Sequence, residues 1–207
     1  MTMNTLKYMI YGSLTLTAFL QTTNAAGKPD AGEVKFLMCA GCHAIPGYSN
    51  AFPRYQVPKL GGQHADYLIS ALKSYAKGER KHPSMNGTAM SLAEQDMLDI
   101  AAYLSELSFK QNIDKDEIAG DPVAGKNKAK NCSSCHGSKG KSSSPGYPHL
   151  VGQYESYLIH ALKQYKTGKR SNPLMTGMTA ALSDEDIENI AAYYANQKKG
   201  LSIPKED

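Results

Sequence analysis

The sequence predicts an all-α protein made of two tandem copies of one small domain, and three observations support this prediction. The second half of the chain repeats the first, apolar residues recur at helical spacing in both halves, and no segment alternates as a half-buried strand would. The composition excludes a disordered tail, a collagen and a multi-span membrane protein. A length of 207 residues suits two small domains, but Leu, Ile, Val and Phe are too sparse for two generous cores. Something besides side chains should therefore fill them.

The internal repeat sets the predicted domain organisation. At a shift of 90 residues, Val57–Ser105 overlays Tyr147–Ala195 with 22 of 49 positions identical. The polar segment between the copies has little apolar periodicity and ends in Gly-Asp-Pro, which is typical of a linker. We therefore expect a first domain at residues 26–107, a linker at 108–121 and a second domain at 122–207.

Each copy is predicted to be helical. Gln63–Lys77 places Leu68, Leu72 and Tyr75 on one helix face, and Gln153–Thr167 repeats this pattern. Another helix is expected over the Ile-Ala-Ala-Tyr sequence that closes each repeat. A short helix should also precede each cysteine pair. These two short helices are expected at Ala31–Met38 and Val123–Asn131.

The ends of the predicted helices carry their own signals. Gly78 and Gly168 lie where a glycine commonly follows the end of a helix. Ser183, with an Asp three residues later, resembles a capping box at the start of the last helix. The first copy has Ala93 at the equivalent position, so its cap should be weaker or should lie at Ser91.

The N-terminus resembles a secretion signal. Lys7 is the only charge in the first 27 residues, and a largely apolar stretch of 13 residues precedes small residues suited to cleavage near Ala25 or Ala26. A bilayer span needs about 20 apolar residues, so an uncleaved membrane anchor is the less favoured alternative. We therefore expect a signal peptide at residues 1–25 and export to the periplasm.

All four cysteines belong to two C-x-x-C-H motifs, the attachment pattern of c-type haem. Thiols three residues apart on a helical turn reach the two vinyl groups on one porphyrin edge, and the adjacent histidine points its ring at the iron. The predicted attachment residues are Cys39, Cys42, Cys132 and Cys135, and the predicted iron ligands beside them are His43 and His136.

Three other uses of the cysteines fit the pattern less well. A zinc site does not need a histidine after each C-x-x-C pair. A thioredoxin-like redox pair is expected among strands, and disulfides across two-residue gaps would be strained. Because the whole motif recurs at equivalent places of a repeat behind an export signal, the sequence favours two covalent haems.

If each copy needs a second iron ligand, that residue should occur at equivalent positions of both copies. Of the His and Met residues, only Met85 and Met175 coincide in the repeat, each within a Met-x-Gly sequence. A neutral thioether favours ferrous iron relative to a second imidazole, and so raises the reduction potential. The alternatives are that both Met residues fill gaps in the core, that His82 serves in the first copy, or that Met178 serves in the second.

Together these motifs resemble cytochrome c4, a family of bacterial dihaem proteins made of two class I cytochrome c domains. The resemblance rests on the C-x-x-C-H sites, a Pro-x-Leu-x-Gly-Gln element after each, the Met-x-Gly element and the closing Ile-Ala-Ala-Tyr helix, in the same order twice. It covers residues from about 30 to 197. One departure is the loop Ala44–Val57, which is three residues longer than its counterpart in the second copy.

The resemblance implies a fold and a site. Each domain would wrap around one covalent haem, and the family's Met-x-Gly ligand falls on Met85 and Met175. By position, the carbonyls of Pro58 and Pro148 would accept the ring N–H of the two proximal histidines and orient them. The alternative is that these are plain loop prolines.

The resemblance also implies a function. Six-coordinate His/Met iron binds no substrate, so the chain should not be an enzyme but a one-electron carrier, in the periplasm, between a cytochrome bc complex and a terminal oxidase. The alternative is the electron-accepting subunit of a sulfide or thiosulfate dehydrogenase. A dihaem peroxidase would need an open ligand position, against which two Met-x-Gly elements argue. Peripheral association with the membrane stays open.

The distribution of charge gives a weaker indication of a docking surface. The formal net charge of +4 falls to +3 without Lys7, and ionised haem propionates would bring the sum to about −1. Lysines cluster around the second haem motif and its middle helix, where they could steer an acidic redox partner. A solvated basic face that binds no partner is an equally good interpretation of these lysines. Nothing in the sequence indicates nucleic acid binding.

Overall fold

The computed structural model describes residues 26–111 and 118–204 and confirms the all-α class. The predicted signal segment at 1–25 lies outside the described residues, as does part of the predicted linker, 112–117. None of the helices within the described ranges is both long and apolar enough to cross a bilayer. The helices of the first repeat are α1 (Pro29–His43), α2 (Ala65–Ala76), α3 (Pro83–Met90) and α4 (Glu94–Glu106), and those of the second are α5 (Pro122–Lys128), α6 (Ser133–His136), α7 (Glu155–Lys166), α8 (Pro173–Thr179) and α9 (Asp184–Ala195).

In each repeat the first and last helices pack closely at a glycine. Gly32 of α1 lies against α4, where an added Cβ atom would be 2.0 Å from the carbonyl oxygen of Asp99. Gly125 of α5 lies against α9 in the same way, and its Cβ would be 1.8 Å from the oxygen of Asn189. A residue without a side chain is therefore required at both crossings. Phe36 packs beside the first crossing in the core of that repeat.

The helix before the first cysteine pair is longer than predicted. It continues through the motif to His43, whereas the second repeat breaks after α5 and resumes as α6. At this break the N–H of Cys132 donates to the carbonyl of Ala129, three rather than four residues back. Asn131, a weak helix former, lies in the break, which explains why the helix does not run on.

The predicted helix ends are found, with one difference between the repeats. Gly78 and Gly168 have φ angles of +73° and +71°, so each ends its helix in the left-handed region. The hydroxyl of Ser183 accepts from the N–H three residues later at 3.0 Å, and the Asp there accepts from the Ser183 N–H at 3.1 Å. Ala93 caps α4 without a side-chain oxygen, and only the return bond from its own N–H to Asp96 is made. The first cap is thus the weaker one.

A two-stranded sheet forms where only loop and linker were predicted. β1 (Lys110–Gln111) pairs antiparallel with β2 (Lys199–Gly200). A strand of two residues is too short to show the alternation of apolar and polar residues from which a strand is predicted. This pairing joins the start of the predicted linker to the segment that follows α9.

The two repeats dock through a pseudo-twofold interface in which equivalent glutamines exchange hydrogen bonds with backbone atoms. The side chain of Gln63 accepts from the N–H of His149 at 2.8 Å and donates to its carbonyl at 3.0 Å. The side chain of Gln153 accepts from the N–H of Lys59 and donates to its carbonyl, both at 2.9 Å. All four residues are buried. These bonds therefore set the register between the repeats.

A buried carboxylate of α4 ties down the segment just before α1. Asp99 of α4 accepts from the backbone N–H of Lys28 at 2.8 Å, from the Lys35 ammonium at 2.6 Å and from the Gln95 amide at 2.7 Å. The bond to Lys35 and then the bond from Lys28 lower the pKa of Asp99 to about 2. Its equivalent in the second repeat is the neutral Asn189, which accepts from the N–H of Asp121.

We expect Asp99→Asn to destabilise the protein at neutral pH but not in strong acid. Because the folded-state pKa lies below the ordinary value of 3.8, this stabilisation is present above about pH 4 and is lost as pH falls towards 2. At pH 7 the variant should lose roughly 1–3 kcal/mol of the free energy of unfolding, the usual range for hydrogen bonds to a charged group. Denaturant unfolding from pH 7 to pH 2 measures the difference. A difference that stays constant over this range would contradict the expectation.

Candidate functional site

The four predicted attachment cysteines lie in or next to the helical turns that carry the two C-x-x-C-H motifs. Cys39 and Cys42 lie in the last turns of α1, whereas Cys132 is the residue just before α6 and Cys135 lies within it. None of them forms a disulfide, and Cys42 is exposed. Burial, with a smaller effect of Cys42, raises the pKa of the Cys39 thiol to about 11, and burial also raises the pKa of Cys132. Thiols held protonated lack the thiolate character of a redox nucleophile.

Each motif histidine is oriented by a proline carbonyl. Nδ1 of His43 lies 3.0 Å from the carbonyl oxygen of Pro58, and Nδ1 of His136 lies 2.9 Å from that of Pro148. A carbonyl only accepts, so Nδ1 carries the proton and Nε2 of each neutral ring presents a lone pair. Burial lowers the pKa of His43 to about 4 against the opposing Pro58 bond, and burial also lowers the pKa of His136.

The two predicted methionine ligands occupy the same place in their repeats. Met85 lies in the first turn of α3, where its N–H donates to Nδ1 of His82 at 3.2 Å. Met175 lies in the first turn of α8, where its N–H donates to the side-chain oxygen of Asn172 at 3.0 Å. His82 therefore uses one ring nitrogen to cap the helix that carries Met85. Met178, the rival in the second copy, lies a turn further on and is 39% exposed.

The donors that each repeat supplies fit a covalent haem. The donor set is a pair of unoxidised thiols, a neutral imidazole with a lone pair on Nε2, and a neutral thioether, which is the set that a six-coordinate c-type haem requires. Within residues 26–111 and 118–204 no three His, Cys, Asp or Glu side chains are grouped as a metal site would need. One further observation points to a bound anion. Nε of Arg80 is buried and has no hydrogen-bond partner within the described structure.

Four functional candidates escaped the sequence-based search. Arg80 and Arg170 are buried at the interface between the repeats, and each donates to a tyrosine of the other repeat. These tyrosines are Tyr157 and Tyr67. All four are identical between the copies at the shift of 90 residues, so the comparison that selected the methionines would have found them had it been extended beyond His and Met.

Comparison with known proteins gives a consistent result. The family model described as Cytochrome c matches residues 30–108 and again 123–198. The chain is 32% identical to cytochrome c4 of Pseudomonas aeruginosa over 204 residues, covering 92% of this chain and 98% of that protein. It is 44% identical to cytochrome c4 of Stutzerimonas stutzeri over 196 residues, covering 82% and 89%.

Solved structures and one further relative extend the comparison. The crystal structure of reduced cytochrome c4 from Pseudomonas stutzeri matches with a TM-score of 0.66 and 29% identity, over 85% of this chain and 100% of that one. A thiosulfate dehydrogenase from Marichromatium purpuratum matches with a TM-score of 0.71 and 27% identity, over 81% of this chain and 40% of that one. A thiosulfate dehydrogenase electron acceptor of Stutzerimonas stutzeri is 28% identical over 172 residues, covering 77% and 79%.

Proposed function

Because the chain belongs to the cytochrome c4 family, with two tandem cytochrome c domains, we propose that it is a periplasmic electron carrier of a bacterial respiratory chain, acting between a cytochrome bc complex and a terminal oxidase. The chain carries two covalently attached haems, each of which supplies one-electron iron chemistry. It is an electron carrier and not an enzyme, as the cytochrome c4 relatives are. The periplasmic location, the place in a respiratory chain and the redox partners are proposals.

The proposed site assigns each donor a role. Cys39 and Cys42 would bond the first haem covalently, and His43 and Met85 would supply the two protein ligands of its iron. In the second domain the corresponding residues are Cys132, Cys135, His136 and Met175. With two protein ligands supplied to each iron, no position would be left for a substrate, and the site would exchange electrons and nothing else. The observation that most supports this proposal is that both repeats have the same arrangement. In each, a proline carbonyl orients an imidazole, and a methionine lies in the first turn of a short helix.

Pro58 and Pro148 have a positioning role in this proposal. Their carbonyl oxygens accept the Nδ1–H of His43 and His136, at 3.0 and 2.9 Å. Such a bond fixes the tautomer and the ring orientation and makes Nε2 a stronger donor. It therefore keeps the proximal ligand in one geometry in both oxidation states, which reduces the rearrangement that accompanies electron transfer.

Part of the basic surface is available for docking. Lys128 and Lys163 are paired with Asp186 and Asp184, at 2.7 and 3.3 Å, so their charge is partly neutralised. A groove of about 1050 Å³ beside Phe109 is lined in part by four lysines and, among the residues that the structure describes, by no acidic side chain. These lysines are Lys139, Lys141, Lys198 and Lys199. We propose that they steer an acidic redox partner to this end of the second domain.

The domain limits and the export step are also proposals. We propose domains at 26–107 and 122–207 joined by the segment 108–121. A signal peptide at residues 1–25, cleaved near Ala25 or Ala26, would deliver the chain to the periplasm, where c-type haem proteins of this kind would meet their partners. The composition of the N-terminus supports this step.

Purification and optical redox titration of the native protein test the proposed function. We expect about two haems per chain that survive acid acetone, a near-infrared Met-to-iron band in the oxidised form, and oxidation by the terminal oxidase without another chain bound. Extraction of haem by acid acetone, or absence of the band, would contradict the proposed site. Failure to exchange electrons with the oxidase would contradict the proposed place in the respiratory chain.

A second candidate function has specific support. One relative is named a thiosulfate dehydrogenase electron acceptor, and the chain matches part of a solved thiosulfate dehydrogenase at a TM-score of 0.71. In that case this chain would accept electrons from a catalytic partner. Recovery of the native protein in a stable complex with a dehydrogenase chain would favour this function over that of a respiratory carrier.

A further inference from the structure

One side chain fastens the first ligand helix, α3, to the rest of its domain. The side-chain amide of Asn86, next to Met85, uses both of its hydrogens. It donates to the carbonyl of Tyr75 at 2.6 Å and to that of Arg80 at 2.8 Å. Its oxygen accepts from the N–H of His82 at 2.7 Å. Because Tyr75 lies in the last turn of α2 and Arg80 follows it, Asn86 joins α3 to the end of α2 and to the connection between them.

The second ligand helix, α8, is fastened differently. At the repeat shift of 90 residues the equivalent of Asn86 is Thr176, which has no amide. Within the part of the chain that the structure describes, the side-chain hydrogen bonds of α8 join only residues of the helix and its cap. Asn172 accepts from the N–H of Met175 at 3.0 Å, and the hydroxyl of Thr179 donates to the carbonyl of Met175 at 2.9 Å. These bonds stabilise the helix but do not tie it to α7.

The caps of the two ligand helices differ in the same sense. His82, which caps α3, is partly buried, and its ring makes edge contacts with the rings of Tyr55 and Tyr75 at centroid distances of 6.4 and 6.5 Å. Tyr55 is 6% exposed and belongs to the loop that is longer in the first repeat. Asn172, which caps α8, is exposed. The first cap is therefore packed in place, whereas the second is in contact with solvent.

The chain before each cap is held alike in the two repeats. Arg80 and Arg170 pair with each other in an isolated antiparallel bridge, and both are buried. The N–H of each donates to a carbonyl six residues back, in the preceding helix, at 3.2 Å. The difference between the repeats therefore begins at the cap and concerns the ligand helix itself.

We propose that Asn86 is a positioning residue that keeps Met85 in place, and that the second repeat, which lacks it, releases Met175 more readily. This proposal rests on the proposed haem sites. A segment tied by fewer hydrogen bonds opens locally at a lower free-energy cost, and each bond lost favours the open form several-fold. The apparent affinity of a competing ligand rises with the fraction of the open form. Such a ligand therefore measures how often each methionine leaves.

Imidazole is the probe, because it is a neutral nitrogen donor that competes with a thioether for ferric iron. Met175→His leaves only the Met-to-iron band that Met85 produces, and Met85→His leaves only that of Met175. We expect the Met175 band of the oxidised protein to be lost at an imidazole concentration lower by about tenfold. The exchange replaces a sulfur ligand by a nitrogen ligand without a change in oxidation state. Equal midpoints, or a lower midpoint for Met85, would overturn the proposal.

Exchanging the two residues separates positioning from a general effect on stability. Asn86→Thr, in the protein that keeps only the Met85 band, should lower the imidazole midpoint by about tenfold. Thr176→Asn, in the protein that keeps only the Met175 band, should raise it, because Tyr165 and Arg170 have carbonyls at the equivalent places. Asn127→Thr is the matched control, since Asn127 is exposed on α5. If both exchanges give the same midpoints as this control, the proposal is wrong.

Hydrogen exchange of the unaltered, haem-loaded protein is a second test that depends on no variant. The N–H groups of Asn86 and Thr176 form a matched pair, because each donates to the carbonyl of its own helix cap, at 2.8 and 2.9 Å. After correction for intrinsic rates, the Thr176 amide should exchange about tenfold faster. Equal protection of the two amides, or greater protection of Thr176, would contradict the proposal.

Haem content and the Met-to-iron band are recorded before each titration. A protein without two covalent haems, or without the band, would contradict the proposed haem sites. A protein that has both, but whose two methionines give equal midpoints, would contradict only the role of Asn86.

Discussion

Replacing Met85 by His is expected to lower the reduction potential of one haem by a sizeable part of the roughly 0.8 V over which axial ligands set haem potentials. A second imidazole stabilises ferric iron relative to a thioether, so the potential falls. The near-infrared Met-to-iron band should lose about half of its intensity, because the second domain keeps Met175. Met175→His should produce the same change at the other haem.

The control for this experiment lies in the same helix. Met90 ends α3 and is 70% exposed, so Met90→His adds an imidazole without touching the proposed ligand. It should leave both potentials and the band unchanged. An unchanged band and potential in Met85→His would rule out that residue and return His82 to consideration for the first haem. Redox titration with optical spectra measures all of these quantities.

Gly32→Ala is expected to destabilise the first domain by about 3 kcal/mol or more, at the upper end of the usual cost of overpacking. The new Cβ would lie 2.0 Å from the carbonyl oxygen of Asp99 and 2.9 Å from the side chain of Tyr103. The clash is with backbone, so it cannot be relieved by rotating a side chain, and α1 must move away from α4. Gly125→Ala should have the same effect where α5 meets α9.

Gly41→Ala is the matched control, because Gly41 lies in the same helix and an added Cβ there meets no atom within 4 Å. Alanine is the better helix former by about 1 kcal/mol, so this variant should be as stable as the parent or slightly more stable. Denaturant unfolding of the haem-loaded proteins compares the two. Equal midpoints for Gly32→Ala and Gly41→Ala would contradict the close helix crossing.

The repeat made most of the architecture predictable. It predicted that α2 corresponds to α7 and that α4 corresponds to α9. The glycine signals for helix ends were correct because a left-handed residue after a helix has a strong local preference for Gly. The cofactor was predicted from the C-x-x-C-H spacing, its recurrence in the repeat and the export signal. The choice of Met85 and Met175 stays a prediction that the redox experiment must test.

What escaped prediction depends on how the two repeats dock. The pairing of Lys110 with Gly200 joins residues far apart in sequence through backbone atoms, and such contacts leave no pattern in side chains. Asn131 shows a similar limit within one repeat, since its weak helix propensity was not enough to predict a break. Arg80 and Arg170 could have been found, because they are identical at equivalent positions of the repeat. They were missed because only His and Met were compared as possible iron ligands.

The glutamine contacts between the repeats have a consequence for assembly. Gln63 and Gln153 bond only backbone N–H and carbonyl groups, which every residue except proline supplies, so this part of the contact does not distinguish a first repeat from a second. A copy from another molecule could be accepted in principle, as in domain swapping. The tether between the repeats prevents this, because it presents the correct partner at a local concentration on the order of millimolar. The covalent connection therefore serves as the element of partner choice.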